Sequence, residues 1–246
     1  MRELYLFNIR FIDANFSEII VELEKGGTMV APAAPALGTI DFDKEYHQSL
    51  IASHFAIFDS GLLCIALLLL KRIKVKKISG LAFMREFLSH LSTFPNESIF
   101  LIDPSLDDSY ANKELLSKFG YELKSSYQYV APIYKAGKID DAILLANLSS
   151  LKPKYIILNL GGGVQEKLAE YLQKNLKEFN PSIICTGAAI AFLTGRQAKI
   201  PELVDKLYLG WLARCISNYK RFVPRYTQGF KIFPMLLKEK ITIKNL

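Results

Sequence analysis

Residues 154–167, KYIILNLGGGVQEK, constrain the fold more than any other stretch of the chain. Tyr155 to Leu160 is a nearly unbroken apolar run of strand length, as expected for a strand covered on both faces of a parallel sheet. Gly161, Gly162 and Gly163 follow at once, and then Val164, Leu168, Tyr171 and Leu172 recur at helical spacing with Gln165, Glu166 and Lys167 on the other side. The unit reads as strand, glycine loop, helix. Glycines at such a corner permit positive φ and let a ligand approach the main chain. The helix start offers N–H groups and partial positive charge to an anion such as a diphosphate. Neither the dinucleotide nor the P-loop fingerprint is matched, so a tight turn without a ligand is equally open on pattern alone. Gln165, in the first helical turn, is placed to hydrogen-bond a nucleotide or sugar; a residue facing water is its plain alternative.

The rest of the chain repeats this alternation. Strands are predicted over 4–12, 28–31, 54–58, 75–78, 98–102, 121–130 and 182–186, with helices over 15–23, 42–52, 61–70, 81–91, 110–119 and 139–148. APAAPALG, after the second strand, holds too much proline for a helix. The order predicts an α/β fold with a Rossmann-like, mostly parallel sheet flanked by helices. Ligands of such sheets bind outside the carboxyl ends of the strands. Four corners there stand out: Ala31-Pro32-Ala33, Asp59-Ser60-Gly61, Gly161 to Gln165, and Gly187-Ala188. Asp59 is a candidate general base, with capping of the leucine-rich helix as its alternative. Asp103 is the other acid at a strand end beside a turn.

Other chemistries find little support. His47, His54 and His90 lack metal-ligand spacing, and there is no G-x-S-x-G elbow. Asp41-Phe42-Asp43 resembles a metal-binding D-x-D, but it also opens a helix, where acids cap N–H groups. Cys64, Cys185 and Cys215 lie in apolar segments and read as free, buried thiols of a reducing compartment. Polar residues break the apolar run of MRELYLFNIRF, so no signal peptide is expected. GLLCIALLLL falls far short of the ~18 residues that span a bilayer. The net charge of +7 is uneven: residues 196–246 carry eleven Lys or Arg against three acids, and the preceding residues 20 against 21. This division suggests an α/β core over 1–195 and a basic, helical C-terminal appendage over 196–246, with an anionic partner for the latter. A nucleic-acid partner is not expected, since no helix-turn-helix or RNP-like motif accompanies the charge.

Three motifs carry a family resemblance. Gly161 to Glu166, then Thr186-Gly187 through Phe192-Leu193-Thr194-Gly195, then Trp211-Leu212-Ala213-Arg214 with Arg221 to Tyr226, keep one order and spacing. In this the chain resembles the WecG/TagA/CpsF family of bacterial glycosyltransferases, which move a sugar from a nucleotide diphosphate sugar to a polyprenyl-diphosphate-linked acceptor. The resemblance implies an inverting, metal-independent hexosyl- or N-acetylhexosaminyltransferase without a cofactor. Asp59 falls on the family's catalytic acid, and Lys77 on an arginine near the diphosphate. Gly161, Gly162, Gly163, Gln165, Gly187 and Tyr226 would bind the donor, and Arg214, Arg221 and Arg225 would neutralise charge in catalysis. The implied partners are a UDP-sugar donor, a lipid-linked acceptor and an anionic membrane surface, with self-association open. The implied place is the inner face of the cytoplasmic membrane. The chain departs from the family at Ala31 and Ala33 (for T-x-N), at Asp103-Pro104, at Ala191 and Gly210 (for acids) and at Asn218-Tyr219. These departures carry the alternative: a nucleotide-sugar-binding protein of the same fold without turnover.

Overall fold

A computed structural model of the chain describes residues 1–94, 96–134, 139–196, 204, 208, 210–217 and 219–245; the side chains at 213, 214, 217, 221 and 222 lie outside this description. The chain runs β1 (Arg2–Leu6), β2 (Ile9–Asp13), α1 (Phe16–Leu23), β3 (Gly27–Val30), α2 (Ala34–Leu37), α3 (Lys44–Ala52) and β4 (Phe55–Ile57). Next come α4 (Gly61–Lys71), α5 (Gly80–Ser92), β5 (Ile99–Asp103), α6 (Leu106–Lys118) and β6 (Gln128–Val130). They are followed by α7 (Ala142–Leu151), β7 (Tyr155–Leu158), α8 (Val164–Asn175), β8 (Ser182–Cys185) and α9 (Ala189–Leu193). The described C-terminal elements are α10 (Gly210–Ser217), α11 (Tyr219–Gly229), α12 (Ile232–Lys238) and β9 (Thr242–Asn245).

The predicted α/β architecture is the one observed. Among the described residues, nine strands form one sheet in the order β6-β5-β7-β8-β3-β4-β2-β1-β9. From β6 to β2 the pairings are parallel, and β1 runs antiparallel to both β2 and β9. Tyr155 pairs with Ile99 on one side and with Ser182 on the other. Strand alternation then divides β7 between two cores: Tyr155 and Ile157 join α1, α5 and α6, while Ile156 and Leu158 join α3, α4, α7 and α8. All four are fully buried. Each such burial contributes roughly 1.5–3 kcal/mol, and a one-residue slip would turn every one of them into the wrong layer.

The structure corrects several element boundaries. Residues 4–12 are not one strand but a hairpin, because Phe7 and Asn8 take φ of 53° and 61° and reverse the chain in two residues. APAAPALG does hold a helix, the short α2, whose Pro35 sits in the first turn where no N–H is needed. Residues 75–78 form no strand; Ile78 only donates its N–H to the Phe58 carbonyl, at 3.0 Å. The alternating run 121–130 yields a 3-10 turn, Ser125–Tyr127, before the three-residue β6. Cys64 and Cys185 are buried free thiols as expected, but Cys215 is only half-buried.

The C-terminal helices lie against the core. Tyr226, Ile232 and Leu236 are buried in it, α11 packs on α2, and α12 packs on α4. The α2–α11 contact is close: a Cβ on Gly38 would stand 2.1 Å from the Gln228 carbonyl oxygen. Glu239 accepts the Phe7 N–H at 2.9 Å, which ties the segment before β9 to the N-terminal turn.

Candidate active site

The four strand-end corners singled out in the sequence meet at one cleft of about 330 Å³. They do so because β4, β3, β8 and β7 are neighbours and parallel, so their carboxyl ends lie side by side. Ala31, Asp59, Gly161, Gln165, Gly187 and Arg225 all line the cleft.

Asp59 arrives on the end of β4, half-buried, and its Oδ1 accepts the Gly80 N–H at 2.7 Å, at the start of α5. The cap of α4 is the next residue, Ser60, whose hydroxyl accepts the Leu63 N–H at 3.4 Å. The capping alternative for Asp59 is therefore overturned. Its carboxylate is bonded to the start of a different helix, α5.

In the glycine loop only Gly163 has a backbone that favours glycine, with φ of 91°. Its N–H donates to Glu166 Oε2 at 2.6 Å. A Cβ added to Gly161 or Gly162 would meet nothing within 4 Å, so protein packing does not demand glycine at either. Gln165 is buried, its Nε2 donating to Glu166 Oε1 at 2.9 Å and its Oε1 accepting the Gly187 N–H at 2.9 Å. It links the corners after β7 and β8 and does not face water. Burial pushes the Glu166 carboxyl up, against the hydrogen bonds from Gln165 and Gly163 that favour its charged form.

The remaining predicted residues distribute unevenly. Arg225 is exposed at the cleft, and with Gly161, Gly162, Gly163 and Tyr46 it also lines an adjoining hollow of about 400 Å³. Lys77 is half-buried outside the cleft lining, its Nζ 5.8 Å from the centre of the Tyr208 ring. Tyr226 is buried, its ring 6.0 Å from that of Trp211. The Arg214 and Arg221 side chains lie outside the described set. Asp43 of the D-x-D caps α3 by accepting the Tyr46 N–H at 2.9 Å, and it pairs with Lys167 at 3.0 Å.

Two features escaped the sequence reading. The first is a buried polar cluster: Asp103 Oδ1 accepts from Asn112 Nδ2 and Asn159 Nδ2, each at 2.7 Å. Burial pushes the Asp103 carboxyl up to about 6, against those two hydrogen bonds. The visible signal was Asn159, which interrupts the apolar run just before the glycines. The second is a set of buried polar atoms on residues of the cleft lining, Tyr46 Oη, Asn159 Oδ1 and Thr186 Oγ1, that have no hydrogen-bond partner among the described residues. Left without a partner, a buried polar atom costs about 1–3 kcal/mol.

The cleft thus combines a carboxylate, a cation, a loop open to close approach and polar residues on its wall. That set suits an anionic, hydroxylated substrate. Against known proteins, the family model described as "Glycosyl transferase WecG/TagA/CpsF family" matches residues 4–246. No curated protein matches the chain.

Proposed function

The chain belongs to the WecG/TagA/CpsF glycosyl transferase family, and from that we propose an inverting, metal-independent transfer of a hexosyl or N-acetylhexosaminyl group to a lipid-linked acceptor. As a member, it is a glycosyltransferase of cell-surface polysaccharide synthesis, with a nucleotide sugar donor and an acceptor substrate. The observation that carries the finer reading is the presence of Asp59, the glycine loop and Arg225 on one cleft.

In the proposed step Asp59 takes the proton of the acceptor hydroxyl. The oxygen attacks the anomeric carbon as the bond to the nucleoside diphosphate breaks on the opposite face, which inverts the centre. The leaving diphosphate carries its negative charge to the glycine loop, the start of α8 and Arg225, where fixed positive groups lower the barrier. The hydrogen bond from Gly80 holds the Asp59 carboxylate in orientation. Arg214 and Arg221 would add to the same charge neutralisation, Lys77 would act at the donor, and the donor would be a UDP-sugar.

The acceptor's lipid would bring the enzyme to an anionic membrane surface. No helix among the described residues is long and apolar enough to cross a membrane. Exposed Phe42, Leu212, Ile216, Tyr219, Phe230 and Leu237, most of them on or beside the basic C-terminal helices, support an interfacial docking face.

Asp59→Asn tests the chemistry. Transfer between a verified donor and acceptor should fall by ~10²–10⁴-fold, with donor binding nearly unchanged. Near wild-type turnover would remove Asp59 from the mechanism. The alternative, a binding protein without turnover, is favoured by Ala31 and Ala33, which put methyl groups on the cleft wall where the family carries Thr and Asn. It predicts donor binding and no transfer in the wild type.

A further inference from the structure

The side chain of Asp103, at the end of β5, is enclosed by protein. Asp103, Asn112 on α6 and Asn159 after β7 are 0%, 2% and 6% exposed. Asp103 Oδ1 accepts from both amide nitrogens at 2.7 Å, and the Asn159 N–H donates to the neighbouring Ile102 carbonyl at 2.9 Å. Two buried oxygens of this cluster, Asp103 Oδ2 and Asn159 Oδ1, have no hydrogen-bond partner among the described residues. While Asp103 is a carboxylate both are acceptors, so neither can serve the other. One proton changes that. A carboxylic acid and a primary amide have flat, forked heads of the same shape, and these two are already joined at one corner. A proton on Oδ2 donates to Asn159 Oδ1 at the other corner, which closes a ring and satisfies both oxygens at once.

The surroundings favour the proton over a charge. From α6, Ser109, Asn112 and Asp108 face Asp103, and the Asp108 charge disfavours a second one nearby. Arg196, after α9, is paired with Asp108 at 2.7 Å, and no ion pair reaches Asp103 among the described residues. From β6, Gln128 donates to Ser109 at 2.8 Å and the Tyr129 hydroxyl is turned to Asp141. Burial pushes the Asp103 carboxyl up to about 6, although the amide donors favour its charged form.

We propose that Asp103 and Asn159 form a proton-operated latch: the acid closes the ring with the amide, and loss of the proton to solvent opens it. Asn159 stands two residues before Gly161, so the latch ties the entry of the glycine loop to β5 and α6. Asp103 is thereby a positioning residue for that loop. A proton and a ligand of the loop are then linked, each raising the affinity of the other by the same factor. This last step rests on the nucleotide-sugar reading above; the latch itself does not.

Nuclear magnetic resonance of the isotope-labelled full chain tests the latch. It follows the Asp103 carboxyl carbon, the Asn159 side-chain amide and the backbone amides of Gly161, Gly162 and Gly163 from pH 5 to pH 8. All should move together with one midpoint. In Asp103→Asn, whose amide donates to Asn159 at every pH, the Asn159 and glycine signals should stay at their low-pH positions. An Asp103 carbon at the carboxylate position already at pH 5 would overturn the latch, since water would then bridge the two oxygens. An Asp103 that titrates while Asn159 and the glycines stay still would overturn it as well. Should Asp103→Asn fail to fold, the wild-type titration decides by these same outcomes. Calorimetry with UDP tests the positioning role. The affinity of the wild type relative to Asp103→Asn, a ratio in which the titration of UDP itself cancels, should be near one at pH 5 and fall about fivefold or more at pH 8. A ratio unchanged by pH would overturn that role. If neither protein binds UDP, the UDP-sugar donor is overturned, and the resonance titration still decides the latch.

Discussion

Gly161, Gly162 and Gly163 are neighbours with different obligations. A side chain on Gly163 would be forced into the left-handed region at φ 91°, which costs roughly 1–2 kcal/mol. Gly161 and Gly162 have open space where a side chain would go. Gly163→Ala should therefore lower the melting temperature, whereas Gly161→Ala and Gly162→Ala should leave it in place and weaken donor binding severalfold or more. Unchanged donor affinity in the latter two would return the loop to a plain tight turn. Asp103 allows a pH test. Its folded pKa, about 6, lies above the ordinary 3.8, so the folded chain holds the proton more tightly than the unfolded chain. The stabilisation is complete below 3.8 and is lost as pH rises through about 6. Relative to Asp103→Asn, the wild type should lose about 1–2 kcal/mol between pH 5 and pH 8, read from denaturant melts at each pH. A constant difference between the two proteins would show that the carboxyl titrates normally. Asp59 and the glycines were legible because each sits where strand turns to helix. The partners of Gln165 and Asp103 were not: Gly187 and Glu166 close around Gln165, and Asn112 and Asn159 reach Asp103 from two other elements.

At the scale of elements, long apolar runs and helical periodicity were read correctly wherever burial on two layers demanded them, as in β5, β7 and β8. Short elements decided by local backbone were missed. The hairpin turn uses Phe7-Asn8, without the glycine that would have announced it, and α2 begins in a proline-rich stretch that periodicity cannot describe. The C-terminal helices show a similar limit. Tyr226 and Leu236, which alternate with basic residues in sequence, are core residues, and the outward face is made by others. Removing these helices would cut into the core, so the docking face is better tested by substitution. Phe42, Lys231 and Lys238 line one exposed hollow, with the Lys231 Nζ 5.0 Å from the centre of the Phe42 ring. A basic residue near an anionic bilayer contributes about 1 kcal/mol. Phe42→Ser combined with Lys231→Glu and Lys238→Glu should therefore reduce sedimentation with anionic liposomes more than tenfold, with the melting temperature little changed. Equal sedimentation of variant and wild type would remove this face from membrane docking.

For the whole molecule, charge handling bears on the metal question. The D-x-D acid Asp43 is engaged twice, by the start of α3 and by Lys167, while Arg225 stands at the cleft. Transfer activity should accordingly survive EDTA with less than a twofold change. A strict requirement for Mn²⁺ or Mg²⁺, lost again in Asp41→Ala or Asp43→Ala, would give those acids the role here assigned to arginine.

The sheet also has an order in time. β9 pairs with β1, with Arg2 opposite Asn245 and Tyr5 opposite Thr242. On a ribosome the first strand emerges long before the strand that covers its outer side. Until then β1 presents a row of unpaired N–H and C=O groups, a template to which another nascent chain can add. Closing a contact over so long a stretch of chain is also entropically late. Within this sheet β9 is the guard of β1, and it leaves the ribosome after it.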